Sequence, residues 1–226
     1  MQDNSGLNDA GRTAISKAVH DAEAGTAGEI VTIIAERSDR YQDVALWWAA
    51  GAALVALAVL ALFPDFFAGK ITWATNSWSQ ISTAEAFELA LIVAGLKFVG
   101  VRLILQWMPL RLLLTPRIVK ANRVRGRAIR YFKVGAERRT AGKTGILIYL
   151  SMRERMAEIV ADEAIVAKVD DDVWGEAMTK LINEAREGRI AEGMVAAVND
   201  VGAILASHFP RAEGDRNELP DRVIEL

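Results

Sequence analysis

Cysteine is absent from this 226-residue chain, and histidine and proline are scarce, with two histidines and five prolines. Without cysteine there is no disulfide framework, no thiol nucleophile and no thiolate metal site. The two histidines, His20 and His208, fall in different predicted helices, and neither has a neighbour at helical ligand spacing. We therefore do not expect histidine to bind a metal, and any site chemistry must come from oxygen groups.

Three motif signals are also missing. The first forty or so residues are polar and show no cleavable signal peptide, so we expect this segment to be retained and folded. Residues 137–144, ERRTAGKT, have Glu137 where a P-loop needs its first glycine, and they precede a strand instead of following one. There is no G-x-S-x-G elbow.

Charge is nearly balanced but unevenly distributed. The net charge is −2, 52% of the residues are hydrophobic and the mean hydropathy is +0.17. Basic residues are concentrated in a block after residue 110, whereas the C-terminal half is acidic. This composition suits one modest domain together with membrane spans better than a wholly soluble protein.

Residues 44–63, VALWWAAGAALVALAVLALF, contain no charge, amide or proline. A helix of roughly 20 such residues has the length that crosses the hydrocarbon core of a bilayer. The alternative is a core helix of a soluble protein, but such helices seldom stay apolar on every face. We predict a transmembrane helix.

A second span is predicted at residues 84–101, AEAFELALIVAGLKFVGV. Its charges, Glu85, Glu88 and Lys97, fall near the two ends if the crossing runs from about residue 83 to 102, where long side chains can reach the interface. A re-entrant or interfacial segment is the alternative. A loop at about residues 64–82, which contains Trp73 and Trp78, joins the spans into a hairpin.

Basic residues set the expected orientation. The loop between the spans has one, Lys70, whereas many follow the second span, and positive residues near a span stay cytoplasmic. Both termini should then be cytoplasmic, with the short loop outside. The basic run could bind nucleic acid or anionic lipid headgroups, and its place beside the bilayer favours lipid; topology control alone is the simpler alternative. The predicted headgroup contacts are Arg117, Lys120, Arg123 and Arg127.

The remaining segments predict a small α/β domain. A helix over 8–24, capped by Asn8 or Asp9, precedes a strand at 29–36. Residues 103–114 should lie along the membrane interface, and 116–141 should be helical apart from Gly126 and Gly135. Strands 145–151 and 156–161 form an antiparallel pair, whereas the first two strands are parallel. Two helices follow, the first capped by Asp172 and the second over 190–208.

These segments give four predicted parts: residues 1–43 and 109–210 form the cytoplasmic domain, 44–108 the inserted hairpin and 211–226 a tail. The fold class is α/β, with a mixed sheet interrupted by a transmembrane hairpin.

Carboxylates cluster at predicted strand ends and helix starts. Asp162 ends the third strand, Asp170 and Asp172 precede a helix, and Glu29 opens the first strand. Carboxylate oxygens are the ligands that Ca²⁺ and Mg²⁺ prefer, and these four residues form the predicted metal set. The alternative for an aspartate run before a helix is capping.

The chain resembles the TPM domain family. The resemblance rests on LNDAGRTAISKAVHDAEAGTAGEIVTII, on KTGILIYLSMRERMAEIVADEAI, and on an Asp-rich turn followed by paired helices. The inserted hairpin and the ending HFP with NELPD are similar to a group of bacterial inner-membrane proteins that embed this domain. The resemblance implies an α/β/α sandwich in a bacterial inner-membrane protein.

The resemblance implies three kinds of activity, because TPM domains include acid phosphatases, calcium binders and assembly factors. It places binding candidates at Glu23, Thr26 and Arg155, and metal candidates at Glu29, Asp162 and Asp170. The family commonly has a glycine pair after the third strand, where this chain has Asp162 and Glu163. An aspartate there would repel a phosphate.

Two hypotheses follow from the residues and the resemblance. The first is a non-enzymatic interaction module that takes part in assembling or maintaining a membrane complex, with a membrane or membrane-associated protein as partner and without nucleic acid. The second is a membrane-anchored phosphatase that depends on a divalent metal held by Asp162 and Asp170. No catalytic residue can be named for it, since no nucleophile and base stand at a convincing spacing.

Overall fold

The computed structural model describes residues 7–75, 82–135, 144–211 and 218–226. The chain divides into two compact units. Met1–Asp39 and Arg117–Leu226 form one of them, which we call the α/β unit, and Arg40–Pro116 form the other, the helical unit.

The elements, in chain order, are α1 (Asp9–Glu23), β1 (Glu29–Ala35), α2 (Gln42–Leu62), α3 (Pro64–Thr75), α4 (Thr83–Ile104), α5 (Met108–Leu113), α6 (Arg117–Gly135), β2 (Gly145–Ser151), β3 (Met156–Ala161), α7 (Glu163–Val166), α8 (Gly175–Arg186), α9 (Ile190–His208) and β4 (Ile224–Glu225). A 3₁₀ turn, Asp171–Trp174, precedes α8.

The α/β unit is built on a four-stranded mixed sheet in the order β3-β2-β1-β4. β1 and β2 are parallel, with Glu29 opposite Gly145 and Ala35 opposite Ser151. β2 and β3 are antiparallel. These pairings confirm the mixed α/β fold predicted for this part of the chain. The sheet also has an edge strand, β4, which runs parallel to β1 in a segment predicted as a tail.

Helices cover both faces of the sheet. Alternate residues of β1, Ile30 and Ile34, join one buried cluster with side chains of α1, α8 and α9. The residues between them, Val31 and Ile33, join a second cluster with α6. Because successive strand residues point to opposite faces, a strand buried on both sides has apolar residues at successive positions, as β1 does apart from Glu29 and Thr32.

Two local predictions about the ends and breaks of helices are wrong. α8 begins at Gly175 with Trp174 at its N-cap, so Asp172 lies inside the preceding 3₁₀ turn and does not cap the helix. α6 runs through Gly126 without a break, because one glycine costs a helix only about 1 kcal/mol and does not end it. The prediction that Asn8 caps α1 is confirmed: its side chain accepts a hydrogen bond from the Gly11 amide.

The helical unit contains the two predicted spans and a helix between them. α2 and α4 pack against each other. Their outward side chains are large, apolar and exposed: Trp47 is 76% exposed, Leu54 66% and Leu91 74%. The segment at 64–82, predicted as a linker, forms α3 over Pro64–Thr75. Arg111 of α5 is buried and donates hydrogen bonds to the carbonyls of Leu105 and Arg40.

Among the described residues, two helices are long and apolar enough to cross a membrane, α2 and α9. α9 is the central core helix of the α/β unit, with Met194, Val198 and Leu205 fully buried. α4 has the length but carries Glu88, Lys97 and Arg102. Of the two predicted spans, only α2 therefore satisfies the criterion of length and composition.

Candidate functional site

Two predicted site residues, Glu23 and Glu29, lie buried where β1 begins. The Glu23 side chain is at the end of α1, and its Oε1 accepts a hydrogen bond from the Ile30 amide at 2.7 Å. The Glu29 carboxylate accepts hydrogen bonds from the amides of Glu218 at 3.2 Å and Leu219 at 3.1 Å, one on each oxygen. The two carboxylates therefore tie α1 and the C-terminal segment to the start of β1.

Burial has a strong electrostatic effect on Glu23. Desolvation raises the pKa of its carboxyl from the ordinary 4.5 to about 8, and the nearby charges of Glu29 and Asp221 add to the increase. The hydrogen bond from the Ile30 amide acts in the opposite direction and lowers the pKa. Glu23 is consequently mostly protonated at neutral pH, which makes it a poor ligand for a cation.

Thr26 organises the turn between α1 and β1. Its hydroxyl donates to the Phe209 carbonyl at 2.7 Å and accepts from the Gly28 amide at 3.0 Å. An isolated bridge pairs Thr26 with Pro210. The structure thus brings Glu23, Thr26 and Glu29 together, and it gives each of them backbone partners.

The predicted aspartates do not gather around a common point. Asp162 is 8% exposed, precedes α7, and accepts the Gly145 amide at 3.1 Å. Glu29 and Asp162 flank Gly145 on opposite sides, two strand spacings apart, which is about 10 Å. Asp170, which precedes the 3₁₀ turn, and Asp172, which lies within it, are both exposed.

The residues described here do not fit a ready-made Ca²⁺ or Mg²⁺ site. No three histidine, aspartate or glutamate side chains among them lie close enough to hold one ion. The buried carboxylates Glu29 and Asp162 already accept backbone amides, and these bonds would compete with a cation for the same oxygens. Metal binding stays a prediction.

The basic residues of α6 split into two groups. Arg117 is exposed and Lys120 half-buried. Arg123, in contrast, pairs with Asp39, and Arg127 donates to the Ser38 carbonyl at 2.9 Å while its guanidinium lies 5.6 Å from the centre of the Tyr131 ring. Arg123 and Arg127, two of the four predicted headgroup contacts, therefore contact the segment after β1.

A buried polar network occupies the opposite end of the sheet, at the carboxyl ends of β1 and β2. The Ser38 hydroxyl lies 3.0 Å from the Tyr149 hydroxyl and donates to Ser151 Oγ at 2.9 Å. Ser151 in turn donates to Glu154 at 2.6 Å, and Glu154 accepts the Ser38 amide at 2.9 Å. Sequence reasoning missed this network. Its signal was the polar pair Tyr149 and Ser151 inside the apolar strand GILIYLS.

Arg155 lies at this second end of the sheet, in the turn between β2 and β3. Its backbone is in the left-handed region, with φ of 53°, and its side chain is exposed. β1 has seven residues, so Arg155 is separated from Glu23 and Thr26 by roughly 20 Å of strand. The predicted binding set therefore does not form one site.

The comparisons with known proteins agree with this fold. A family model of the TPM domain matches residues 110–204. The chain is also similar to the NMR structure of the BA42 protein from the psychrophilic bacterium Bizionia argentinensis, with a TM-score of 0.57 and 18% identity over 100% of this chain and 98% of that one. This level of identity supports the fold alone. No curated protein matches the chain. The match of residues 110–204 to the TPM domain model agrees with the resemblance seen in the sequence.

Proposed function

We propose that this chain is an integral protein of the bacterial inner membrane that crosses it with α2 and α4 and presents the α/β unit to the cytoplasm. There the TPM domain binds a membrane or membrane-associated protein partner during assembly or maintenance of a membrane complex, without catalysing a reaction. The apolar exposed surface of α2 carries the proposal.

That surface is unsuited to water. α2 has 21 residues, its one charged residue is Asp43 in the first turn, and its most apolar 18-residue stretch has a mean hydropathy of 2.2. Large apolar side chains are exposed along its length, from Trp47 to Leu62, which is 72% exposed. Soluble proteins rarely expose an apolar surface of this extent, whereas lipid tails accept it at no cost.

α4 is suited to return the chain through the bilayer. It has 22 residues and packs along α2. Its acidic residues, Glu85 and Glu88, lie in the first two turns, and Arg102 lies in the last. Charges at the ends of a span can reach the headgroups. The basic residues that follow in α6 favour a cytoplasmic position for the α/β unit.

The geometry of the carboxylates supports the interaction role over the hydrolase. Glu29 and Asp162 each accept backbone amides, and the described acidic residues do not converge on one point. A phosphatase would need groups that meet at the reacting phosphorus.

The absence of cysteine allows a direct test of topology. Asp65→Cys places one thiol in the loop predicted to be external, and Lys17→Cys places one on the exposed face of α1. In intact spheroplasts, a membrane-impermeant maleimide should label Asp65→Cys fully and Lys17→Cys only after permeabilisation. Equal labelling of both variants before permeabilisation would contradict the proposed orientation. The parent chain, which has no cysteine, is the negative control.

The partner can be sought with the same approach. A maleimide photocrosslinker on Lys17→Cys, Arg125→Cys or Thr179→Cys samples exposed positions on α1, α6 and α8. Illumination of native membranes should give a discrete adduct from the face that binds the partner and none from the opposite face. If all three positions give only uncrosslinked chain, the interaction role is wrong.

A further inference from the structure

A small pocket lies beside the carboxyl end of β2 and the last turns of α8. Its volume is about 220 Å³. Its apolar lining comes from Leu150, Met152, Ile182 and Ala185, and its polar lining from Ser151 and two arginines, Arg155 and Arg186. It is separate from the carboxylates at the start of β1, because it sits at the other end of the sheet.

Both arginines keep their charge available. Within the described residues, neither the Arg155 guanidinium nor the Arg186 guanidinium has a hydrogen-bonded or ionic partner. Their sequence neighbours differ: Arg153 pairs with Glu36 at 2.7 Å, and Arg189 pairs with Glu184 at 2.6 Å. The pocket therefore holds two guanidinium groups that the fold does not use.

The one carboxylate adjacent to Arg155 in sequence, Glu154, does not neutralise it. Glu154 is 6% exposed and turns inward, where its oxygens accept the Ser38 amide and the Ser151 hydroxyl. The same turn holds Arg155 at a positive φ, a backbone conformation that disfavours residues other than glycine and that is retained at functional sites.

We propose that this pocket binds an aliphatic carboxylate, with its anionic head at Arg155 and Arg186 and its apolar group on Met152 and Ile182. Guanidinium groups match the geometry of a carboxylate and remain charged at every accessible pH. The volume accommodates one leucine-sized group. The apolar lining disfavours a bare dianion, which would lose hydration without compensation.

An aliphatic carboxylate can come from two sources, a free small acid and the C-terminal residue of a polypeptide. This inference goes beyond the proposed function, since the pocket can be filled without a membrane complex.

The test uses the full chain in detergent micelles, labelled with ¹³C in its methionine and isoleucine methyl groups. N-acetyl-leucine is the probe, and we expect it to shift the Met152 and Ile182 methyl signals with a dissociation constant of roughly 1 mM, as suits a ligand of this size. N-acetyl-leucine amide and acetate, which lack the charge and the apolar group respectively, should each bind at least about tenfold more weakly.

Four variants separate the pocket from general surface charge. Arg155→Gln and Arg186→Gln should each weaken N-acetyl-leucine binding about tenfold, because each removes one charge-assisted contact. Arg153→Gln and Arg189→Gln remove equal charge nearby and should leave binding within about twofold. All four arginine side chains are exposed. The variants should therefore fold as the parent does and give the same circular dichroism spectrum.

The proposal is overturned if the two methyl signals do not move with N-acetyl-leucine, if the four variants weaken binding equally, or if inorganic phosphate binds more tightly than N-acetyl-leucine. A pentapeptide ending in leucine then identifies the source. Tighter binding than N-acetyl-leucine, lost on amidation, supports a polypeptide C-terminus, and equal or weaker binding supports a free acid.

Discussion

Leu54→Arg is expected to remove the chain from the membrane fraction. Leu54 lies near the middle of α2 and is 66% exposed, so in the proposed hairpin it faces lipid. An arginine at the centre of a spanning helix costs roughly 3 kcal/mol of insertion free energy, which corresponds to about a hundredfold change in partition. Carbonate extraction followed by flotation measures the inserted fraction directly.

Two controls make the result specific. Leu54→Phe changes the same side chain but keeps it apolar, and it should float with the parent chain. Val166→Arg makes the corresponding change at a 57% exposed apolar position of the α/β unit, and it should leave membrane insertion unaffected. If Leu54→Arg floats as well as the parent, α2 does not span the bilayer and the proposed function fails with it.

Glu23→Gln is expected to stabilise the α/β unit at alkaline pH and to remove a pH dependence. The folded-state pKa of Glu23 is raised to about 8 from 4.5, so between these values the native state holds a proton that the unfolded state has released. Stability from this group is fully present below pH 4.5 and falls as pH rises through 8. The slope within this window approaches about 1.4 kcal/mol for each pH unit.

Urea unfolding of the parent and variant from pH 5 to 9 measures the effect. The urea concentration at the unfolding midpoint of the parent should fall across this range, because Glu23 ionises. The glutamine variant should lack that part of the fall, and its side-chain oxygen can still accept the hydrogen bond from the Ile30 amide. Asp21→Asn makes the same isosteric change at an exposed position of α1 and should leave the pH profile unchanged. Parallel profiles for the parent and Glu23→Gln would show that Glu23 ionises normally in the fold.

The central strands of the sheet could be predicted because their sequence carries the information locally. The segments EIVTIIA and GILIYLS have apolar residues at successive positions, since helices cover both faces of the sheet. β4 could not be predicted in this way. It has two residues, and it depends on distant partners: Arg12 of α1 pairs with Glu225, and the Leu226 amide donates to the Ile34 carbonyl.

The candidate sites were harder to predict than the strands. The residue types at Glu23, Glu29 and Asp162 suggested ligands, but their backbone partners were not visible in the sequence. The amides that donate hydrogen bonds to the Glu29 carboxylate belong to Glu218 and Leu219, about 190 residues away in sequence. Arg186 belongs to no motif, and only the packing of α8 against β3 places it near Arg155, in the turn before β3. The predicted domain boundaries and lipid contacts stay predictions.

The parallel pairing of β1 and β2 constrains the order in which the chain can fold. The Thr144 hydroxyl donates to the Ala27 carbonyl across 117 residues, and the helical unit lies between them in sequence. During synthesis β1 emerges first and has no strand to pair with until the whole hairpin has been made. In the proposed topology the membrane step therefore precedes closure of the sheet. β1, apolar on both faces, is exposed to aggregation during that interval, which makes a chaperone bound to the nascent segment an advantage.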